Sequence, residues 1–243
     1  MITGEMRGEK AVRPQDCEEA KQCSLFARCR SETAADLLRG AFIQNFPAHT
    51  QLNREGEVAD FLFFNLSGTI ELTAHWRNRE TTIDVIERPR AFIVAAVVMD
   101  RLYLQSSRVL RAARILMLPA GSVRSAMQDD AGFATAMAEE ASVAYRHVAQ
   151  ELKGLKLRSG IERLANWLIN QDIFVGSAHA FNMPYEKKVL AARLGLAPEV
   201  LSRAFSTLAK YGVRVEGAKV WIGDIDALRK LAFPDPLLDD ETI

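Results

Sequence analysis

The spacing of apolar residues changes character several times along the chain. From 23 to 45, Leu25, Phe26, Ala34, Leu37, Leu38 and Phe42 recur at helical steps. From about 46 to 120 the texture becomes that of short strands. "DFLFFNLSGTIELTAHW" (60–76) reads as extended and interrupted at Ser67–Gly68. "TTIDVIERP" (81–89) alternates loosely, "AFIVAAVVM" (91–99) has the length of a buried strand or short helix, and "ARILMLPAG" (113–121) stops at Pro and Gly. Such strands predict a small β sandwich or roll.

Residues 122–158 carry the longest helical pattern. Phe133, Met137, Ala141, Ala144, Val148, Leu152 and Leu155 recur at steps of three or four. This stripe requires a partner surface, either the chain's own β domain or the same helix of a second copy. Ala141 and Ala144 would permit close helix approach in a pair.

Residues 159–231 form a second unit. "GIERLANWLINQD" (160–172) is a helix with Ile161, Leu164, Ala165 and Leu168 on one face. "AFNMPY" (180–185) is a short extended piece. Two short helices follow around Gly195, then "VRVEG" and "KVWIGD" make a β hairpin with Gly217 near its tip. The polar residues 1–22 suit a mobile arm, and the acidic, Pro-broken 232–243 a loose tail. The expected architecture is α+β: a small β sandwich or roll within 23–121, a long helix over 122–158, and a second compact unit of helices and a hairpin over 159–231.

Composition changes this picture little. The chain is 49% hydrophobic and 26% charged with zero formal net charge, so no global basic field marks it for nucleic acid. No run reaches about 18 apolar residues, and no membrane span is expected. Three cysteines without a secretory signal suit the cytoplasm. A Gly-rich phosphate loop, a G-x-S-x-G elbow and an H-E-x-x-H helix are all missing from the sequence, and adjacent Glu139 and Glu140 cannot act as a carboxylate pair. An enzyme is therefore not expected.

The chemistry concentrates in "EKKVLAARLGLAPEVLSRAFSTLAKYGV" (186–213). Its first helix buries Val189, Leu190 and Leu194. Gly195 suits the left-handed position past a helix end, and Pro198 the first turn of the next helix. That arrangement is a helix-turn-helix. Glu199, Ser202 and Arg203 fall at i, i+3 and i+4 on the second helix, near the end that presents base contacts. Arginine grips guanine O6 and N7, glutamate accepts from cytosine N4, and serine reaches a base edge or a phosphate. The competing reading is a Glu199–Arg203 salt bridge on an ordinary amphipathic helix. Residues 159–231 hold ten basic and seven acidic side chains. Lys187, Lys188, Arg193, Lys210 and Lys219 are the candidate phosphate contacts.

These motifs resemble the superfamily of the cyclic-AMP receptor protein and the fumarate–nitrate reduction regulator. "REGEVADFLFFNLSGTIEL" (54–72), with Gly56 and Gly68, resembles its β-roll signature, and Glu199, Ser202 and Arg203 the E-x-x-S-R of its fumarate–nitrate and nitric-oxide-responsive branches. The resemblance implies a β-roll sensor domain over 23–121, a dimerisation helix over 122–158 and a winged helix-turn-helix over 159–231. It also implies a homodimer on double-stranded DNA, reading a palindrome of TTGAT-like half-sites, with RNA polymerase as a further partner. A β-roll signalling protein without a DNA role is the alternative from another class.

The effector differs from the cyclic-nucleotide binders. Their phosphate cassette carries Gly-Glu followed by Arg-Ser. Here the stretch 87–113 has no glycine, and Ser106, Ser107 and Arg108 lie in apolar surroundings, so cyclic AMP is not expected. "ERPRAF…MDRL" resembles the denitrification branch, which implies nitric oxide sensing through haem. Phe92, Val94, Val97, Met99, Tyr145 and His147 would line such an apolar pocket. His147, His75 and His49 are the candidate axial ligands, while His179 lies badly for that role.

"DCEEAKQCSLFARC" (16–29) holds Cys17, Cys23 and Cys29, the whole cysteine content. In the cluster-binding relatives three N-terminal cysteines and a fourth in the β domain hold an iron–sulfur cube. Here Cys23 and Cys29 reproduce one C-x5-C spacing, Cys17 departs from the pattern, and Leu116 stands near the fourth ligand's place. A metal, a redox thiol and a plain helix start all remain open, with the third favoured because Leu25 and Phe26 pack there across the superfamily.

Overall fold

The computed structural model describes residues 20–239; expectations for 1–19, Cys17 among them, and for 240–243 fall outside the described residues. Two compact units divide between Ala144 and Tyr145.

The first unit is built on an antiparallel six-stranded sheet: β1 (Phe42–Phe46), β2 (Gln51–Asn53), β3 (Phe61–Trp76), β4 (Arg79–Ile86), β5 (Arg90–Phe92) and β6 (Ser106–Pro119). Its order is β1-β6-β3-β4, with β2 on β6 and β5 on β3. Ser67–Gly68 does not end the strand. The β3–β6 register shifts on both sides of Ser67, so the extra residue is absorbed as a bulge. Leu62, Phe63, Ile70, Ile115, Leu116 and Leu118 fill the core, and Phe63 stacks on Phe92 at 5.4 Å. A 3₁₀ turn (Ser24–Phe26), α1 (Ser31–Arg39), α2 (Val94–Val98), α3 (Ala120–Asp129) and the first part of α4 (Ala131–Leu157) complete the unit. Phe42, expected on the first helix, lies in β1 instead, because Gly40 ends α1.

The single helix expected over 122–158 is two helices. Asp130 breaks them with an extended backbone at φ −131° and ψ 103°. Its carboxylate accepts from the N–H of Gly132 (2.9 Å) and Phe133 (3.1 Å), which restarts the chain as α4. Its other oxygen accepts from the Arg30 N–H at 2.8 Å. One buried side chain thus caps a helix and holds the loop before α1.

The second unit contains the rest of α4, then α5 (Gly160–Phe174), β7 (Ala180–Asn182), α6 (Lys187–Arg193), α7 (Pro198–Leu208), β8 (Val213–Glu216), β9 (Lys219–Ile222), α8 (Ile225–Ala232) and α9 (Pro236–Asp239). Ser159 and Glu162 form a reciprocal capping box at the start of α5. The sheet order is β7-β9-β8. Leu164, Leu168, Leu190, Leu208, Val220 and Leu228 are fully buried between sheet and helices. The tail is not loose through Asp239. Arg158 donates to both Asp239 carboxylate oxygens, at 2.5 and 2.6 Å, and the pair's side chains are only 11% and 12% exposed. An acidic tail reads as solvated until a buried cation claims it.

Candidate nucleic-acid interface

α6 and α7 are joined by Leu194, Gly195, Leu196 and Ala197, and Gly195 takes the left-handed φ of +62°. Pro198 opens α7 at its first turn. Leu201, Ala204 and Leu208 bury one face of α7. Glu199, Ser202 and Arg203 all stand exposed on the other. Glu199 and Arg203 form no ion pair among the described residues, so both heads remain available to an outside partner. The salt bridge that would have explained their spacing is not made.

The cations divide. Lys187, Lys188, Lys210 and Lys219 are exposed. Lys187 lies 5.7 Å from the Phe205 ring centroid, which steers its head along the helix pair. Arg193 is turned inward: it is half-buried and donates to the Tyr185 hydroxyl at 2.8 Å, which also accepts from Trp167 Nε1 at 3.0 Å.

β8 and β9 form the hairpin beside this pair. Strand alternation buries Val213, Val220 and Ile222 and sets Arg214, Glu216, Lys219 and Trp221 on the outer face. Arg214 and Lys219 each lie 4.9 Å from the Trp221 ring centroid. Arg214 and Trp221, not among the expected site residues, lie on the face that the alternation in "VRVE" and "KVWI" marks.

In the β roll, the polar groups near the sequence's Ser106–Ser107–Arg108 are already committed. Arg108 Nε donates to Glu71 at 2.5 Å and Nη1 lies 3.0 Å from Glu80. Glu71 is 1% exposed and also accepts from Thr82 Oγ1 at 2.6 Å. Ser106 Oγ accepts from the Glu55 N–H at 3.0 Å, and Ser107 Oγ donates to Asn53 Oδ1.

Two family matches fit this geometry. Residues 43–130 match the cyclic nucleotide-binding domain, and residues 162–231 the Crp-like helix-turn-helix domain. The chain belongs to the Crp/Fnr superfamily. It is a DNA-binding transcriptional regulator with an effector-type domain. No curated protein sequence matches it closely. Solved structures share the Crp/Fnr fold. A protein described as a cAMP-binding regulator from Silicibacter pomeroyi DSS-3 is 24% identical over 90% of this chain and 98% of its own, with a TM-score of 0.60. FixK2 from Bradyrhizobium japonicum is 17% identical over 79% and 96%, with a TM-score of 0.69. A protein described as a crp/fnr-family transcriptional regulator from Eubacterium rectale is 16% identical over 86% and 98%, with a TM-score of 0.73.

Other expected sites of this Crp/Fnr chain fare differently. Phe92, Val94 and Val97 are packed in the β-roll core, whereas Met99 and Tyr145 are 65% and 75% exposed. His147 is half-buried on α4. His75 faces two carboxylates, Glu80 at 2.8 Å and Glu55 at 3.6 Å, and His179 Nδ1 lies 2.8 Å from Asp172. His49 is exposed in a loop. Of the candidates for a haem site, Phe92, Val94 and Val97 are packed in the core, and His75 and His179 face carboxylates.

The stripe on the long helix splits. Phe133 and Met137 are fully buried in the first unit and Ala141 packs against that core, while Val148, Leu152 and Leu155 are 58%, 53% and 44% exposed. Ala144 lies half-buried between them.

Cys23 is buried beside Leu25 and Phe26, whose ring stacks on Phe133 at 6.4 Å. Cys29 Sγ donates to Asp130 at 3.6 Å, and burial, reinforced by that carboxylate, pushes its thiol up to about 11. A thiol held protonated is a poor ligand and a poor nucleophile. Among the described residues no group of three His, Cys, Asp or Glu side chains is placed to hold a metal.

Proposed function

We propose that the protein is a homodimeric regulator that reads a palindrome of TTGAT-like half-sites with Glu199, Ser202 and Arg203. The observation that carries this reading is their exposure on one side of α7 with no Glu199–Arg203 pairing among the described residues. Lys187, Lys188, Lys210 and Lys219 supply the phosphate contacts that set register; the inward-turned Arg193 braces the helix pair from within. The exposed Val148, Leu152 and Leu155 form the face that pairs with a second copy. Half-site spacing then follows from the dimer, as two-fold protein symmetry meets two-fold DNA symmetry.

The effector is not a cyclic nucleotide. A cyclic phosphate would have to displace Glu71 and Glu80 from Arg108 and Asn53 from the Ser107 hydroxyl. The S. pomeroyi neighbour's description does not carry over for this reason.

Binding of the full-length protein to a TTGAT palindrome, measured by gel shift across a salt series, tests the reading. Sequence preference over a scrambled duplex is expected, with affinity falling linearly against log salt. Equal binding to both duplexes in every redox state would refute it.

A further inference from the structure

The junction between α4 and α5 is joined to the helix-turn-helix through one arginine. Arg163, on the first turn of α5, donates from Nη1 to the Arg158 carbonyl at 2.6 Å and from Nε to the Leu194 carbonyl at 2.9 Å. The first carbonyl lies just past the end of α4, and the second at the end of α6. Carbonyls at helix ends lack intrahelical donors, and a planar guanidinium can satisfy two of them at a fixed angle.

Leucine side chains pack closely against the glycines around this bridge. A Cβ on Gly195 would stand 2.8 Å from Leu155 Cδ2 on the last turn of α4. A Cβ on Gly160 would stand 2.6 Å from Leu196 Cδ2, in the turn of the helix pair. The end of α4 and the start of α5 therefore lie against residues 194–196, immediately before the reading helix begins at Pro198. On its other side the junction is held by the C-terminal segment. Arg158 donates to both oxygens of Asp239 and, at 3.4 Å, to the Phe233 carbonyl.

We propose that Arg163 is the positioning residue that couples the end of the long helix to the recognition helix, and that the 233–239 segment locks this coupling through Arg158. A change in direction of the last turn of α4 moves the Arg158 carbonyl. Arg163 must then either release it or carry the Leu194 carbonyl along, and α7 follows. The coupling rests on the DNA-reading role given above to α7.

The test uses the full chain with Arg163→Met, Arg163→Lys and Asp239→Asn. Fluorescence anisotropy gives the affinity ratio between the TTGAT palindrome and a scrambled duplex. Hydrogen exchange gives the protection of amides 193–199 and of the β8–β9 hairpin. Arg163→Met should lower specific affinity at least about tenfold while non-specific affinity stays within about twofold, and should speed exchange at 193–199 without changing the hairpin. Asp239→Asn should shift both readouts in the same direction by less. Arg163→Lys keeps the charge but spans only one carbonyl, so it should fall between. Should the Met variant not fold, the Lys variant decides, and full wild-type discrimination with unchanged exchange overturns the proposal. Equal loss on both duplexes also overturns it. A wild-type protein without sequence preference refutes the DNA reading instead, and the exchange arm still decides the coupling.

Discussion

Replacing Arg203 by alanine separates DNA reading from folding. The Arg203 side chain is exposed and forms no ion pair with Glu199, so folding loses no contact. Arginine and alanine differ little in helix propensity, and the stability change should stay within about 0.5 kcal/mol. On DNA the balance differs. One bidentate arginine–guanine contact discriminates by about 1–3 kcal/mol. A dimer on a palindrome makes the contact twice, so about 2–6 kcal/mol is at stake, or roughly thirtyfold to beyond ten-thousandfold in affinity. Because a base contact releases no phosphate counterion, the salt slope should not change. Anisotropy titrations at several salt concentrations, on palindrome and scrambled duplexes, read both quantities, and a thermal melt confirms the fold. Equal loss on the two duplexes, with a shallower salt slope, would make Arg203 a phosphate contact and refute the base-reading argument.

Three further outcomes follow from the β-roll unit. Glu71→Gln removes the charge from a carboxylate that is 1% exposed, while its Arg108 partner is 34% exposed and keeps Glu80. The loss should therefore be about 1–3 kcal/mol in urea unfolding, below the cost of breaking a fully buried pair, and no loss would mean the network contributes nothing. The Asp130 carboxylate is held well below the usual carboxylate range, foremost by the Arg30 N–H. Its stabilisation is complete above the unfolded value of about 4 and disappears as pH falls toward the depressed folded value. Asp130→Asn should flatten that acid limb of a stability–pH curve; an unchanged limb would remove Asp130 as its source. Cys29, pushed from 9.0 to about 11, should carry about a hundredfold less thiolate at pH 8 than an ordinary thiol. Peptide mapping after brief iodoacetamide treatment should find it alkylated far more slowly than a free cysteine, and equal rates would restore it as a redox candidate.

The DNA-reading half was largely legible in the sequence, because its signals are local. Gly195 and Pro198 mark a turn and a helix start through their own backbone preferences, and periodicity on α7 separates Leu201 and Leu208 from Glu199 and Arg203. The β roll was legible as texture but not as register, since "SG" marks a bulge as readily as a turn. What stayed hidden depends on distant partners. Asp130 breaks the long helix while also bonding a loop a hundred residues away. Asp239 looks like one more acid in a solvated tail until Arg158 is found beside it. The residues expected around an effector were ambiguous for a related reason. An apolar run such as 91–99 reads the same whether it lines a cavity or fills a core, and here Phe92, Val94 and Val97 fill the core.

The hairpin beside the reading helix carries an optical consequence. The protein has three tryptophans, and they sit in unlike surroundings. Trp167 is buried against Tyr185 and Phe181, and Trp76 is exposed at the β3–β4 tip. Whereas Trp76 has Arg77 at 5.7 Å, Trp221 has two cations near its ring, both at 4.9 Å. If Arg214 or Lys219 swings toward a phosphate, the local field on that indole changes while the other two serve as steady background. The fold thus contains an intrinsic fluorophore at the wing, sensitive to the approach of a polyanion without any label.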